Sequence, residues 1–309
     1  MARAIAWRAQ LVPSPDVFSR LKPYYELTRP RVLALVLLTA PPVYFADSAP
    51  APRAWHTLVV LAAIWLLGGA CSAFNAYLER DSDKLMARTR DRPLPSGRLA
   101  PRAALCFAFA TAAVSLALLF VFGSALAAAL GLATLVHYVV IYTWLLKRRS
   151  SWNIVIGGAA GAAAPLIADA ALDGNLRPLS LFLFGIICLW TPAHFWSIAL
   201  YRKAEYAAAK IPMLPAVVGD QATRWRMLAY NVVLLVVSLG PVVSGDLGMT
   251  YAILASLSGV AFIAWTIRAV VRADEAGDRS LFVWSLFYLL IVCVAAPLDF
   301  VVRQFVGGS

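Results

Sequence analysis

The sequence predicts an all-α integral membrane protein: a bundle of nine transmembrane helices with a cytoplasmic N-terminus and a C-terminus outside. Three observations carry this expectation. Of 309 residues, 61% are apolar and only 14% charged, a surplus that a water-exposed surface does not accommodate. The apolar residues fall into segments close to the ~20 residues that a helix needs to cross a bilayer core. Finally, 24 of the 27 Lys and Arg residues fall in alternate connections, and by the positive-inside rule these connections are cytoplasmic.

Residues 1–30 read as a cytoplasmic tail, because they carry basic residues and no apolar core before Arg31 and so do not resemble a cleaved secretory signal. The nine-helix domain, 31–309, takes the rest. Its apolar segments cover residues 31–46, 54–78, 103–123, 124–146, 153–172, 179–201, 226–245, 248–271 and 281–302. The first contains Pro41 and Pro42. The fifth is the run NIVIGGAAGAAAP, whose small residues let helix backbones approach closely, so it is expected inside the bundle. Cys71, Cys106, Cys188 and Cys293 all lie in apolar stretches without ligand spacing and read as packing residues. The net charge of +11 is spread between apolar segments, a pattern that marks topology and not a nucleic-acid surface.

Two connections on the basic side are long: ERDSDKLMARTRDRPLPSGRLAPR and YRKAEYAAAKIPMLPAVVGDQATR. If the second span continues as helix into the first of these, Asn75, Glu79 and Asp83 follow at intervals of four, each step turning about 40° around the axis. They then share one face. Carboxylates near membrane depth are costly unless they meet a cation or a watery cavity, and hard oxygen donors of this kind suit Mg²⁺ bound with substrate phosphates. Asp81 lies on the far side of the same helix. Arg88, Arg90 and Arg92 follow, and guanidinium groups hold phosphate oxygens well. The alternative is an interfacial salt-bridge cluster that fixes topology.

A second polar stripe ends the sixth span, where His194, Tyr201 and Glu205 in WTPAHFWSIALYRKAEY fall within about 40° of one another on a helix. A histidine in such a place is as often a neighbour's hydrogen-bond partner as a functional group.

The segment NAYLERDSDKLMARTRDRP resembles the first signature of the UbiA superfamily of intramembrane prenyltransferases, N-x-x-x-D-x-x-x-D, and specifically its haem-farnesylating branch, where it continues M-x-R-T-x-x-R-P. Asn75, Asp83, Met86, Arg88, Thr89, Arg92 and Pro93 match, while Glu79 stands where an aspartate is usual. WTPAHFW, IPMLP, YTWLLKRRS, NIVIGGAAGA and YYELTRPRVL extend the likeness from about Tyr25 to Pro215, with Ala193 departing at a proline. The wider superfamily has a second aspartate pair after the sixth helix. Here Glu205 is followed four residues later by Ala209. The last three helices contribute no motif.

The resemblance implies transfer of the farnesyl group of farnesyl diphosphate to a vinyl group of haem b, with water addition, giving haem O for terminal oxidase biogenesis. It implies one or two Mg²⁺ ions, with Asn75, Glu79, Asp83 and Glu205 as metal donors. Asn75, Glu79, Asp83, Arg88, Lys147 and His194 are then the catalytic group. Arg88, Arg92, Lys147, Arg148, Tyr142, Asn153 and Tyr201 are expected on the substrates. Haem b is a substrate and not a prosthetic group. Tyr142, Trp190, Phe195 and Trp196 are either shields for a carbocation or plain packing. The implied setting is a bacterial cytoplasmic membrane with the site toward the cytoplasm. Farnesyl diphosphate, haem b and the lipid bilayer are the partners, with haem A synthase or terminal oxidase assembly factors as further contacts to which no residue is assigned.

The residues weigh against two other readings. A quinone-precursor or chlorin acceptor is disfavoured by WTPAHFW and IPMLP. A transporter is disfavoured because the polar stripes lie at one face and no internal repeat of broken helices is visible.

Overall fold

In the computed structural model, which describes residues 17–45 and 53–307, every regular element is helical. Of the expected tail, residues 1–16 lie outside the described residues, and the remainder forms helix α1 (Val17–Leu27). Helix α2 (Pro30–Leu38) and a 3₁₀ turn, Pro41–Phe45, follow.

Among the described residues, eight helices are long and apolar enough to cross a membrane. They are α3 (Ala54–Asp83), α4 (Pro101–Gly123), α5 (Ala125–Leu146), α6 (Asn153–Asp173), α7 (Pro178–Tyr201), α10 (Asp220–Val243), α11 (Met249–Arg272) and α12 (Glu275–Gly307). The short helices α8 (Lys203–Ala208) and α9 (Leu214–Val218) lie between α7 and α10. The first apolar segment differs from the expectation of nine full spans. It is the shorter helix Pro30–Phe45, because Pro41 and Pro42 offer no N–H to continue an α-helix and the chain tightens into 3₁₀ there.

Local chemistry sets the other boundaries. Pro101 and Pro178 stand in the first turns of α4 and α7, where a missing N–H costs nothing. Between α4 and α5, Ser124 turns the chain and accepts a hydrogen bond from Ala127 N at 3.0 Å, an N-cap. Gly174, at φ 81°, ends α6. At that same end the fully buried Asp169 accepts from Arg177 N and Nη1 (both 2.6 Å) and from Ser180 Oγ (2.7 Å), which ties α6 to the start of α7.

Helix α7 is central, packing against α6, α10 and α12, while α3 pairs with α4 and α11 with α12. The 3₁₀ turn packs on α6 and α12, and α2 on α3, so the first segment closes the bundle between its two ends in sequence. As the small residues predict, α6 lies inside: 72% of its apolar window is buried, against 11% for α5. A Cβ at Gly157 would overlap the Tyr142 ring, and one at Gly158 would sit 2.8 Å from Thr191 Cγ2. Gly157→Ala is therefore expected to destabilise the fold by about 1–3 kcal/mol, read as a lowered melting temperature in detergent. An unchanged melting temperature would mean that this contact is not tight.

Candidate active site

Helix α3 runs unbroken to Asp83, so Asn75, Glu79 and Asp83 do share one face. All three are buried. Each is held by a basic or hydroxyl partner from another segment. Asn75 Oδ1 accepts from Arg29 Nη2 at 2.7 Å, and its Nδ2 donates to Thr143 Oγ1 at 3.2 Å. Glu79 pairs with Lys147, and Asp83 with Arg92 at 2.8 Å. Thr89 Oγ1 donates to Asp83 O at 2.7 Å and holds the loop that carries Arg88 and Arg92 against the helix end.

Arg29 was not singled out in the sequence. It sits at φ 55°, ψ 59° immediately before Pro30, a left-handed conformation that costs a residue with a Cβ roughly 1–2 kcal/mol. Strain of this kind persists where surroundings over-determine it, and here the hydrogen bond to Asn75 does so. Its charge also reaches Glu79 and Arg92. Burial, with Arg29 beside it, lowers the Arg92 pKa against the pull of Asp83. The site is thus rich in cations: Arg29, Arg92 and Lys147 face two carboxylates, with Arg88 adjoining.

Lys147 follows the last turn of α5, where Tyr142 carries its ammonium group 5.7 Å above the ring centroid. Fully buried Asn153 donates from Nδ2 to Ser150 O (2.7 Å) and Lys147 O (3.4 Å), fixing the 147–152 turn, while its Oδ1 has no partner. Arg148 turns the other way, donating to Ser82 Oγ at 2.8 Å. Across the site, Glu205 on α8 pairs with Arg88 at 3.7 Å and Arg202 at 3.4 Å. Tyr206 lies beside it, its pKa raised by burial and opposed by Arg88 and Lys147.

His194 lies deeper on α7, stacked on Trp190 with centroids 4.3 Å apart, and its Nδ1 is 2.7 Å from Ser285 Oγ on α12. Ser285 spends its only hydroxyl proton on Phe282 O at 2.5 Å, so it accepts from Nδ1–H. That leaves Nε2 of a neutral ring with a free lone pair. Tyr201, Phe282 and the guanidiniums of Arg202 and Arg279 continue this seam toward the end of the bundle. Ser285, Phe282 and Arg279 come from a helix in which the sequence offered no motif.

Among the described residues, no three His, Cys, Asp or Glu side chains gather as a metal cluster. The donor set of Asn75, Glu79 and Asp83 does fit a Mg²⁺ ion shared with a diphosphate, since that ion takes one or two protein carboxylates and completes its shell from phosphate and water. Glu205 is a different case. It is a lone carboxylate held by two guanidiniums, beside the buried, apolar Ala209.

Acids and bases are thus opposed at one end of a bundle of apolar, membrane-length helices. The chain belongs to the UbiA prenyltransferase family, whose model matches residues 34–291. Among its relatives is a protein from Synechococcus elongatus named protoheme IX farnesyltransferase, 44% identical over 299 residues that cover 93% of this chain and 91% of the relative. A relative of the same name from Azotobacter vinelandii is 43% identical, covering 89% of this chain and 92% of its own. The branch read from the motifs is therefore the one its relatives occupy. The fold resembles that of a structure described as digeranylgeranylglyceryl phosphate synthase, with TM-score 0.77 at 17% identity over 91% of this chain and 99% of that one. It also resembles a UbiA homolog from Archaeoglobus fulgidus bound to DMAPP and Mg²⁺, with TM-score 0.62 at 15% identity over 89% and 99%.

Proposed function

We propose that the protein transfers the farnesyl group of farnesyl diphosphate to a vinyl group of haem b, with addition of water, giving haem O and diphosphate. The observation that carries this reading is the placement of Asn75, Glu79 and Asp83 opposite Lys147, Arg29 and Arg92, in a chain whose relatives carry that activity in their names.

The diphosphate head lies between α3 and the 84–100 loop, and the farnesyl tail runs into the apolar bundle. Lys147, Arg29, Arg88 and Arg92 offer fixed positive charge where negative charge builds as the allylic C–O bond breaks, so they stabilise the transition state more than the ground state. Bound with the substrate, one Mg²⁺ on Asn75, Glu79 and Asp83 adds Lewis-acid neutralisation of the leaving group. Glu205 orients Arg88 and Arg202 instead of completing a second metal site. Tyr142 holds Lys147, while Asn153 fixes the turn beneath it. The haem vinyl group attacks the farnesyl cation. Water then captures the resulting cation beside the porphyrin and releases a proton, and the free Nε2 of His194 can accept one.

The membrane arrangement follows the same reading. The short segment Pro30–Phe45 completes a ninth crossing: Arg29 meets Asn75 at the site end, whereas Phe45 packs on Phe300 at 5.6 Å and Tyr44 lies near Asp169 at the other. Nine crossings put the two termini on opposite sides, and the basic connections put the N-terminus and the site in the cytoplasm of a bacterial cell and the C-terminus outside.

Mass spectrometry of haems, after incubating purified protein with haem b, farnesyl diphosphate and Mg²⁺, is expected to show the hydroxyethylfarnesyl adduct. Its absence where a relative forms it, or prenylation of 4-hydroxybenzoate instead, would overturn the acceptor.

A further inference from the structure

A cleft of about 400 Å³ opens at the site end of the bundle, lined by Tyr201, Arg202, Glu205, Arg279, Phe282 and Val283. It belongs to the seam between α7–α8 and α12, on the far side of Glu205 from the carboxylates of α3. Its two guanidiniums both lie against one ring, Arg279 at 5.3 Å and Arg202 at 5.7 Å from the Tyr201 centroid. Arg202 has only a long contact to Glu205, at 3.4 Å. Arg279 pairs with Glu275 within its own helix, where both side chains are largely exposed, so an incoming anion competes with a weak pair. Two cations therefore stand side by side at the mouth with donors to offer.

Below the mouth the lining turns aromatic and apolar. Phe282 is 6.4 Å from Tyr201 and 4.9 Å from His194 between ring centroids, and His194 stacks on Trp190. From Arg202 to His194 the seam descends about 12 Å along α7. Two guanidiniums beside the Tyr201 and Phe282 rings suit the edge of a flat ligand that carries two acidic groups. The cleft is too small for a whole macrocycle and takes that edge alone.

We propose that this cleft binds the propionate edge of the haem acceptor, with Arg202 and Arg279 each meeting a carboxylate and Phe282 and Tyr201 lying against the ring. The inference rests on the haem reading above and adds the acceptor's subsite. Its position also supplies the reaction's geometry. The carboxylate edge is held at the mouth, and Glu205 bridges Arg202 of the cleft to Arg88 of the diphosphate site. The macrocycle then reaches inward beside the donor's reacting carbon.

The test uses full-length protein in nanodiscs, titrated with haem b and with its dimethyl ester, following the Soret band against empty discs, with farnesylated product measured in parallel. The unaltered protein is expected to bind the diacid at least about tenfold more tightly than the ester, as charge-assisted hydrogen bonds imply. In the double variant Arg202→Gln/Arg279→Gln, diacid binding falls to the level of the ester, while binding of the ester is unchanged. Cations that serve topology alone would not distinguish acid from ester. Equal binding of the two by the unaltered protein, or preference retained by the variant, overturns the proposal. If the preference is present and is lost in the variant while no haem O forms, the cleft stands as a tetrapyrrole carboxylate site and the transferase reading falls.

Discussion

Asp83→Asn is expected to lower farnesyl transfer at least about a hundredfold, because on the proposed reading it removes a metal-binding charge and leaves the geometry almost unchanged. Asp83 is 2% exposed at its side chain and accepts a 2.8 Å bond from Arg92, so the variant also leaves a half-buried guanidinium without its counter-charge. The two effects separate by measurement. Loss of the pair lowers the melting temperature, whereas loss of the charge lowers kcat at temperatures where the protein stays folded. Haem binding, assigned to the opposite side of Glu205, is expected to persist. Half-normal turnover in folded Asp83→Asn protein would remove this residue from the site.

The second large effect concerns Glu79 and Lys147, a pair with side-chain exposures of 8% and 17%. Lys147→Gln strands a buried carboxylate, a defect of about 3–5 kcal/mol, and is expected to depress both stability and turnover. Glu79→Gln has the mirror-image defect. In the double variant neither charge is left alone, so most of the stability should return while turnover stays down about a hundredfold, since the proposed metal donor and the proposed diphosphate cation are both missing. Thermal melts and product assays on all four proteins form the cycle. Recovery of turnover together with stability would make the pair structural only.

What could be read from the sequence divides along physical lines. The face shared by Asn75, Glu79 and Asp83 follows from helical periodicity, a local property, and it survives unchanged in the structure. The interior place of α6 follows from side-chain size and is likewise local. Pro41 and Pro42 were visible, but their consequence was not carried into the span count: the first segment has nearly the bounds expected of it, Pro30–Phe45, yet it breaks into an α-helix and a 3₁₀ turn and falls outside the eight full-length spans. Contacts between distant segments left no such mark. Arg29 meets Asn75 across 46 positions and His194 meets Ser285 across 91. Neither spacing repeats anything a period could reveal. For the same reason α12 appeared silent, although it supplies one wall of the seam beside His194. At position 79 glutamate stands where an aspartate is usual. The structure gives the longer side chain a partner, Lys147, on another helix.

Arg29 also bears on how such a protein could be redesigned. A procedure that chooses each residue to suit its backbone would place glycine at position 29, where φ is 55°, and would score the change as an improvement. Selection for heat tolerance would push the same way, since relieving a strained residue is a common route to stability. Both would discard the guanidinium that fastens the start of the first segment to the polar face of α3. The misfit between residue and backbone at this position is itself the local sign that something other than stability chose it.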